Sequence, residues 1–228
     1  SLQNAWSGAN NMTSFVCDAT TTTGVTNFSY SWCNCSSLTS FPAVDTSNGL
    51  DFSYAWENCS GLTIFPTLTT TSGTNFAYAW FSCSSLTAFP TLTYTNATNF
   101  SYAWNSCTNL AIFPSGVFNT TGTLASNAFS YCWTGCALTA QSIENILISL
   151  DTNGQSNIYL DLNGGTNADA STWSTAAKTA YDNLVVKGWT ITKNGTFATY
   201  EIQYTINNTG TTFELRDSGT VNYVVDWG

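Results

Sequence analysis

From residue 27 to residue 114 the apolar and polar positions repeat at a fixed interval. The stretch Asn27 to Pro42, N-F-S-Y-S-W-C-N-C-S-S-L-T-S-F-P, returns as D-F-S-Y-A-W-E-N-C-S-G-L-T-I-F-P from Asp51. It returns again as N-F-A-Y-A-W-F-S-C-S-S-L-T-A-F-P from Asn75 and as N-F-S-Y-A-W-N-S-C-T-N-L-A-I-F-P from Asn99. Phe28, Phe52, Phe76 and Phe100 stand 24 residues apart. A constant period of this size marks a solenoid or a propeller. Within a copy, Phe28, Trp32 and Cys35 follow at steps of four and three, which predicts one face of a short helical turn. Asn27, Asp51, Asn75 and Asn99 precede that turn and are good N-cap types. Leu-x-x-Phe-Pro predicts an extended segment ended by Pro42, Pro66, Pro90 and Pro114, since proline cannot continue a central ladder. The polar stretch Thr69 to Thr74 predicts the return turn. Trp32, Trp56, Trp80 and Trp104, with Cys35, Cys59, Cys83, Cys107 and Leu38, Leu62, Leu86, Leu110, form the expected inward ladder. One coil cannot offset the entropy of ordering its own backbone, so several must stack.

The ends depart from the period. Trp6, Met12 and Phe15 make a degenerate first copy, 26 residues before Trp32. It carries no polar cap, and terminal repeats of solenoids normally do. The expectation is that the chain is a fragment, or that another subunit covers this end. The last copy keeps Phe129, Tyr131, Trp133, Cys136 and Leu138, after a step of 29 from Trp104. A helix is then expected over Ser142–Leu150 with Ile143, Ile146, Leu147 and Leu150 on one face, followed by a turn at Asp151-Thr-Asn-Gly. A strand at Asn157–Leu162, a longer helix from Ser171 to Lys187 stopped by Gly188, and a strand at Trp189–Thr192 complete the cap. Three further strands are expected at Tyr200–Ile206, Thr212–Arg216 and Val221–Trp227. The organisation read from this is a repeat region 1–136, a cap 137–196 and an incomplete β-rich module 197–228.

The W-x-x-C-x-x-L-x-x-F-P core resembles the cysteine-containing repeats of BspA-like leucine-rich repeat surface proteins, whose usual form is F-x-x-C-x-x-L; here Trp stands for the usual Phe or Met. Such repeats occur in bacterial surface lipoproteins and adhesins and in phage tail-fibre proteins. The run S-I-E-N-I-L-I-S-L-D-T-N-G through K-G-W-T-I is similar to that family's C-terminal cap. The final V-D-W-G is similar to the start of a V-D-W-G-D-G β module. The resemblance implies an α/β solenoid: a right-handed, leucine-rich-repeat-like stack of 24-residue coils with an α/β C-terminal cap and a short β-rich extension.

Composition narrows the function. Charged residues are 7% of the chain, against about 25% in ordinary domains, so Thr, Ser and Asn carry its solubility. The net charge is -9, with Lys178, Lys187, Lys193 and Arg216 the four cations. Nucleic-acid binding needs a basic face to displace counterions and is excluded as an expectation. No run of about 18 apolar residues is present, so no membrane insertion is expected. Histidine is absent, which removes the commonest general base and the Ser-His-Asp and Cys-His nucleophile systems.

Candidate chemistry is sparse. The cysteine column reads as buried thiols, with a bridge through Cys17, Cys33 or Cys132 left open. Zinc is disfavoured because the ladder spacing is 24 rather than C-x-x-C. Asp151-Thr-Asn153-Gly and Asp161-Leu-Asn163-Gly-Gly lack the full calcium-loop pattern. No carboxylate pair repeats along the coils, so no glycosidase-type site is expected. No cofactor, metal or enzymatic activity is expected.

The column Tyr30, Tyr54, Tyr78, Tyr102 and Tyr131 has two readings: an aromatic strip for a ligand, since Tyr gives contact area at low entropic cost, or a ladder stacked on itself. The two positions between Trp and Cys vary from copy to copy and are expected to be exposed, which makes Glu57, Phe81 and Asn105 binding candidates. The expected function is a structural and recognition module of an extracellular fibre, a virion tail fibre or a similar appendage. A cell-surface adhesin and a homopolymeric filament are the alternatives. Its partners would be neighbouring subunits, or a cell-surface glycan or protein receptor.

Overall fold

The structure, a computed structural model, describes residues 1–16 and 22–197 in full and the backbone of 212–216 and 222–226. It divides into two compact units, Ser1–Gly195 and Thr196–Gly228. The expected repeat region 1–136 and all but the last residue of its expected cap, 137–196, lie in the first unit.

Backbone hydrogen bonds tie each copy of the repeat to the next. Leu2 N–H donates to Asn27 O, Phe28 N–H to Asp51 O, Phe52 N–H to Asn75 O, Phe76 N–H to Asn99 O, and Phe100 N–H to Ala128 O, at 2.8–2.9 Å. Asn27 O and Phe28 N belong to one peptide group, so these bonds form a continuous chain of peptides running across the copies. Three more chains run beside it through the peptides that precede Tyr30, Trp32 and Asn34 and their equivalents. All four point the same way, from the N–H of one copy to the C=O of the following one.

The helical turn expected at Phe28–Cys35 is not formed. The residues between the donors fold back instead, with Ser31 N–H donating to Phe28 O, Cys33 to Tyr30 O and Cys35 to Trp32 O. The chain advances as a string of tight turns in which every second N–H goes to the next copy. Such a string needs left-handed backbone at intervals. It occurs at Tyr30 (φ 57°) and Asn34 (φ 61°), and recurs at Tyr54, Asn58, Tyr78, Ser82, Tyr102, Ser106 and Tyr131. The expected N-cap residues act as side-chain acceptors, but within a turn: Asn27 Oδ1 accepts from Ser29 N–H at 2.8 Å and Asp51 Oδ1 from Ser53 N–H at 3.0 Å. The Leu-x-x-Phe-Pro segment pairs through isolated parallel bridges, Ser40 with Ile64 and Ala88 with Ile112, and not through a continuous strand.

Side chains follow the backbone register. Trp6, Trp32, Trp56, Trp80, Trp104 and Trp133 stack with centroids 5.1–5.5 Å apart and planes within 8°. The Phe41, Phe65, Phe89 and Phe113 column meets this stack edge to face, as between Trp56 and Phe65 at 4.9 Å and 80°. The indole N–H groups of Trp32, Trp56, Trp80, Trp104 and Trp133 have no hydrogen-bond partner among the described residues. An aromatic edge meeting a π face is the favourable quadrupolar arrangement for the rings themselves. Leu38, Leu62, Leu86 and Leu110 are fully buried between these columns.

The turns of the copy containing Trp104 still bond to the copy containing Trp133, but its segment from Ala111 to Phe118 is closed by helix side chains rather than by another extended segment. Helix α1 spans Ala140–Asn153, capped by Thr139 and ended by Gly154 at φ 79°. It therefore runs through the turn expected at Asp151. Ser142 Oγ accepts from Phe113 N–H and donates to Ala111 O, while Ser149 Oγ accepts from Phe118 N–H. Strand β1, Tyr159–Leu162, pairs in parallel with β2, Thr190–Lys193. The long helix expected from Ser171 is split. A short 3-10 turn at Ala170–Thr172 precedes α2, Thr175–Val186, whose N-cap Ser174 accepts from Ala177 N–H. Beyond it Gly188 has φ 84°.

In the second unit, β3, Thr212–Arg216, and β4, Asn222–Asp226, form an antiparallel pair. The strand expected at Tyr200–Ile206 lies outside the described residues, as do Trp227 and Gly228 of the final motif. Among the described residues no helix is long and apolar enough to cross a membrane.

Candidate functional site

The tyrosine column occupies the first left-handed position of each copy, with φ of 54–58° at all five residues. A bulky residue there is an outlier, costing about 1–2 kcal/mol relative to right-handed backbone. The rings stack face to face: Tyr30–Tyr54 at 4.4 Å, Tyr54–Tyr78 and Tyr78–Tyr102 at 4.5 Å, and Tyr102–Tyr131 at 4.8 Å. Four of the rings are half-buried and Tyr131 is 46% exposed. Burial, reinforced by Tyr30 and Tyr78, pushes the Tyr54 phenol up to about 12, and burial beside Tyr102 raises Tyr78. The ring faces are thus spent on one another along the column, and edges and hydroxyls are what it offers outward.

The variable positions separate into two kinds. Cys33 and Asn105 are buried, which corrects the expectation of exposure. Asn105 Nδ2 donates to Tyr131 O at 3.0 Å and its Oδ1 accepts from Ser106 Oγ at 2.7 Å, a structural role. Glu57 is half-buried and accepts the Cys33 thiol at 3.2 Å. Phe81 is half-buried too, its ring tilted against Tyr78 at 5.6 Å, and is no free aromatic. Glu57, Phe81 and Asn105 hold equivalent places in consecutive copies, linked through Asn58 N–H to Phe81 O and Ser82 N–H to Asn105 O, but their side chains are engaged in different ways.

The second residue of each variable pair faces a groove instead. Asn34, Asn58, Ser82 and Ser106 line it together with Gly8, Asn10, Ser36, Ser60, Ser84 and Thr108. It runs past five successive copies and holds about 720 Å³, with no charged and no aromatic residue in its lining. Asn58 Nδ2 donates to Asn34 Oδ1 at 2.9 Å across two copies, and serine follows at Ser82 and Ser106. Sequence reasoning missed the residue after each ladder cysteine, although Cys-Ser, Cys-Ser, Cys-Ser, Cys-Thr was a readable signal.

The cysteines serve the scaffold. The thiols of Cys35, Cys59, Cys83, Cys107 and Cys136 donate to Trp6 O, Trp32 O, Trp56 O, Trp80 O and Trp104 O, at 3.0–3.2 Å. Each tryptophan carbonyl from Trp32 to Trp104 already accepts from the cysteine N–H of its own copy, so the thiol adds a second bond across copies. Burial pushes Cys59, Cys83, Cys107 and Cys132 well up, and burial with the neighbouring Glu57 takes Cys33 up to about 12. Cys33 and Cys132 are free thiols, and Cys17 lies outside the described residues.

The carboxylates are engaged as well. Asp161, buried, accepts from Tyr131 N–H at 2.6 Å through Oδ2 and from the Thr192 hydroxyl through Oδ1. It thereby receives one of the four peptide chains at the end where its N–H groups point. Asp151 pairs with Lys187 at 2.6 Å. Among the described residues no cluster of His, Cys, Asp or Glu is arranged to hold a metal ion. Comparison of the chain with protein-family models, with curated proteins and with solved structures finds no match in any of the three.

Proposed function

We propose that the chain is a short solenoid of the leucine-rich-repeat kind, acting as a rigid, non-enzymatic structural and recognition module of an extracellular fibre or surface appendage. The observation that carries this reading is the division of labour in the repeat. Trp, Phe, Leu and Cys are consumed by packing, while neutral hydroxyl, amide and phenol groups stand outside in rows at the copy spacing. That arrangement suits holding a repetitive partner better than transforming one. The carboxylates Asp161, Asp151 and Glu57 are each tied to a backbone, a lysine or a thiol, which leaves them poor candidates for an acid–base pair. Thiols that are buried and held protonated resist oxidation, which suits an exterior setting.

The test is retention of the labelled protein on a panel of bacterial and animal cell surfaces, with the supernatant assayed for released saccharide. Retention without release supports the reading. Release identifies a depolymerase and overturns it, and no retention on any surface leaves a scaffold without a recognition role.

A further inference from the structure

The groove lined by Asn34, Asn58, Ser82 and Ser106 has a chemistry of its own. Five copies contribute to it in order: Gly8 and Asn10, Asn34 and Ser36, Asn58 and Ser60, Ser82 and Ser84, Ser106 and Thr108. The hydroxyls of Ser36, Ser60, Ser82, Ser84 and Thr108 make no hydrogen bond to protein among the described residues. Each is both donor and acceptor, and Ser36, Ser60, Ser84 and Thr108 form one hydroxyl column across four copies. By contrast Asn34 and Asn58 are tied to one another and Ser106 to Asn105, so in their column Ser82 alone keeps its hydroxyl unspent, while the column Ser36, Ser60, Ser84 and Thr108 keeps all four. The backbone beneath is pinned by Asn34 N–H to Glu57 O at 2.7 Å, Asn58 to Phe81 O at 2.8 Å and Ser82 to Asn105 O at 2.9 Å. A rigid wall of this kind loses little freedom when a ligand is seated.

We propose that this groove binds a linear, uncharged, hydroxyl-rich polysaccharide laid along the stack, about one sugar per copy. This rests on the recognition reading above. Three features select the ligand class. A lining without charge gives no advantage to an acidic polymer, and the chain's net charge of -9 opposes one. A lining without aromatic or large apolar side chains offers nothing to a peptide's hydrophobic anchors. The row of hydroxyls Ser36, Ser60, Ser84 and Thr108 repeats at about the 4.8 Å spacing of paired backbones, a step comparable to the length of one pyranose ring. A polymer that repeats in step with the protein makes the same hydrogen bonds at every copy. The tyrosine column, its ring faces occupied, is not the platform for this ligand.

The experiment titrates the full chain with neutral gluco- and manno-oligosaccharides of increasing length and with an acidic galacturonic series, read by calorimetry and by the side-chain amide NMR signals of Asn34 and Asn58. Affinity is expected to grow with length, level off near the five copies that line the groove, and move both amide signals. Filling the groove with Ser60→Phe and Ser84→Phe together should weaken binding by roughly tenfold or more. The same bulk placed at exposed Thr67 should change little. Should the filled variant fail to fold, the amide shifts of the unmodified protein decide. The proposal is overturned if the amides stay still, if affinity ignores length, or if acidic chains bind as well. Failure here with continued retention on cells would remove the groove and keep the recognition reading; failure of both would remove the two together.

Discussion

Replacing Tyr78 by Asn separates what the tyrosine column does for the scaffold from what it presents. Tyr78 sits at φ 58°, where Asn is at ease, so the substitution relieves about 1 kcal/mol of backbone strain. Against this, Tyr78 stacks on both Tyr54 and Tyr102 with centroids at 4.5 Å and planes within 7°. Aromatic pairs contribute about 0.5–1.5 kcal/mol each, so losing two costs about 2 kcal/mol. The net expectation is a loss of about 1 kcal/mol. Tyr131 is the internal comparison, with the same backbone (φ 54°) but one stacking partner, at 4.8 Å and 23°. For Tyr131→Asn, strain relief and lost stacking, each about 1 kcal/mol or less, should nearly cancel. Urea unfolding of both variants measures the two midpoints and, through the slope, whether the unfolding unit is unchanged. A Tyr78→Asn variant as stable as the parent or more so would refute the self-stacking account, because the column would then persist at a cost that packing does not recover. Equal losses at both positions would refute the term-by-term argument.

Other outcomes follow from the same geometry. Cys83→Ala should destabilise by about 1–2 kcal/mol through the lost bond to Trp56 O and a small void, and Cys83→Ser by less because it keeps a donor; urea midpoints check both. Stability should fall as pH rises above the ordinary thiol value near 9: the unfolded chain then releases protons that the folded ladder keeps, so the native state loses its advantage across the window up to about 12 for Cys33. Urea midpoints between pH 7 and 11 measure this, and a flat profile would contradict it. Asp161→Asn should cost about 1.5–3 kcal/mol, the worth of a charge-assisted buried bond to Tyr131 N–H, read by thermal unfolding. Gly73→Ala should cost about 1–3 kcal/mol by overpacking, since an added Cβ would lie 2.4 Å from Phe76 Cζ; recovery of stability in a Gly73→Ala, Phe76→Leu double variant would confirm that contact.

The period of the apolar residues made the inward columns readable, because Phe28, Trp32, Cys35, Leu38 and Phe41 must face one core whatever backbone carries them. The backbone itself was not readable from that spacing. Steps of three and four suit a helix, and they equally suit a string of turns whose alternate N–H groups leave for the next copy. The mark that distinguishes the two was present in the irregular copies. Asn4 stands in the tyrosine column, and Gly8 and Gly135 stand in the column of Asn34, all with positive φ. Ser174 ahead of Thr-Ala-Ala likewise carried the N-cap signal that splits the second cap helix, but Trp173 fitted the longer apolar face as well. The burial of Asn105 had no local signal, since it depends on Tyr131 O arriving from the next copy. The groove was legible only in part: Cys-Ser, Cys-Ser, Cys-Ser, Cys-Thr recurs with the period, but serine stands out little in a chain this rich in it.

The four parallel peptide chains have a consequence for how such a molecule changes its length. Every copy offers its successor the same four donors, and accepts from its predecessor on the same four carbonyls, so copies are interchangeable along the axis. Duplicating or deleting a whole copy leaves every donor matched, whereas gaining a fragment of one does not. The tolerated exceptions show where slack resides. The steps of 26 and 29 residues carry their surplus outside the string of turns, and Trp6 still reaches Ser31 O and Trp104 still reaches Cys132 O. Reach can therefore be adjusted by gene duplication in whole units, like links in a chain, while each link keeps its grip on the next.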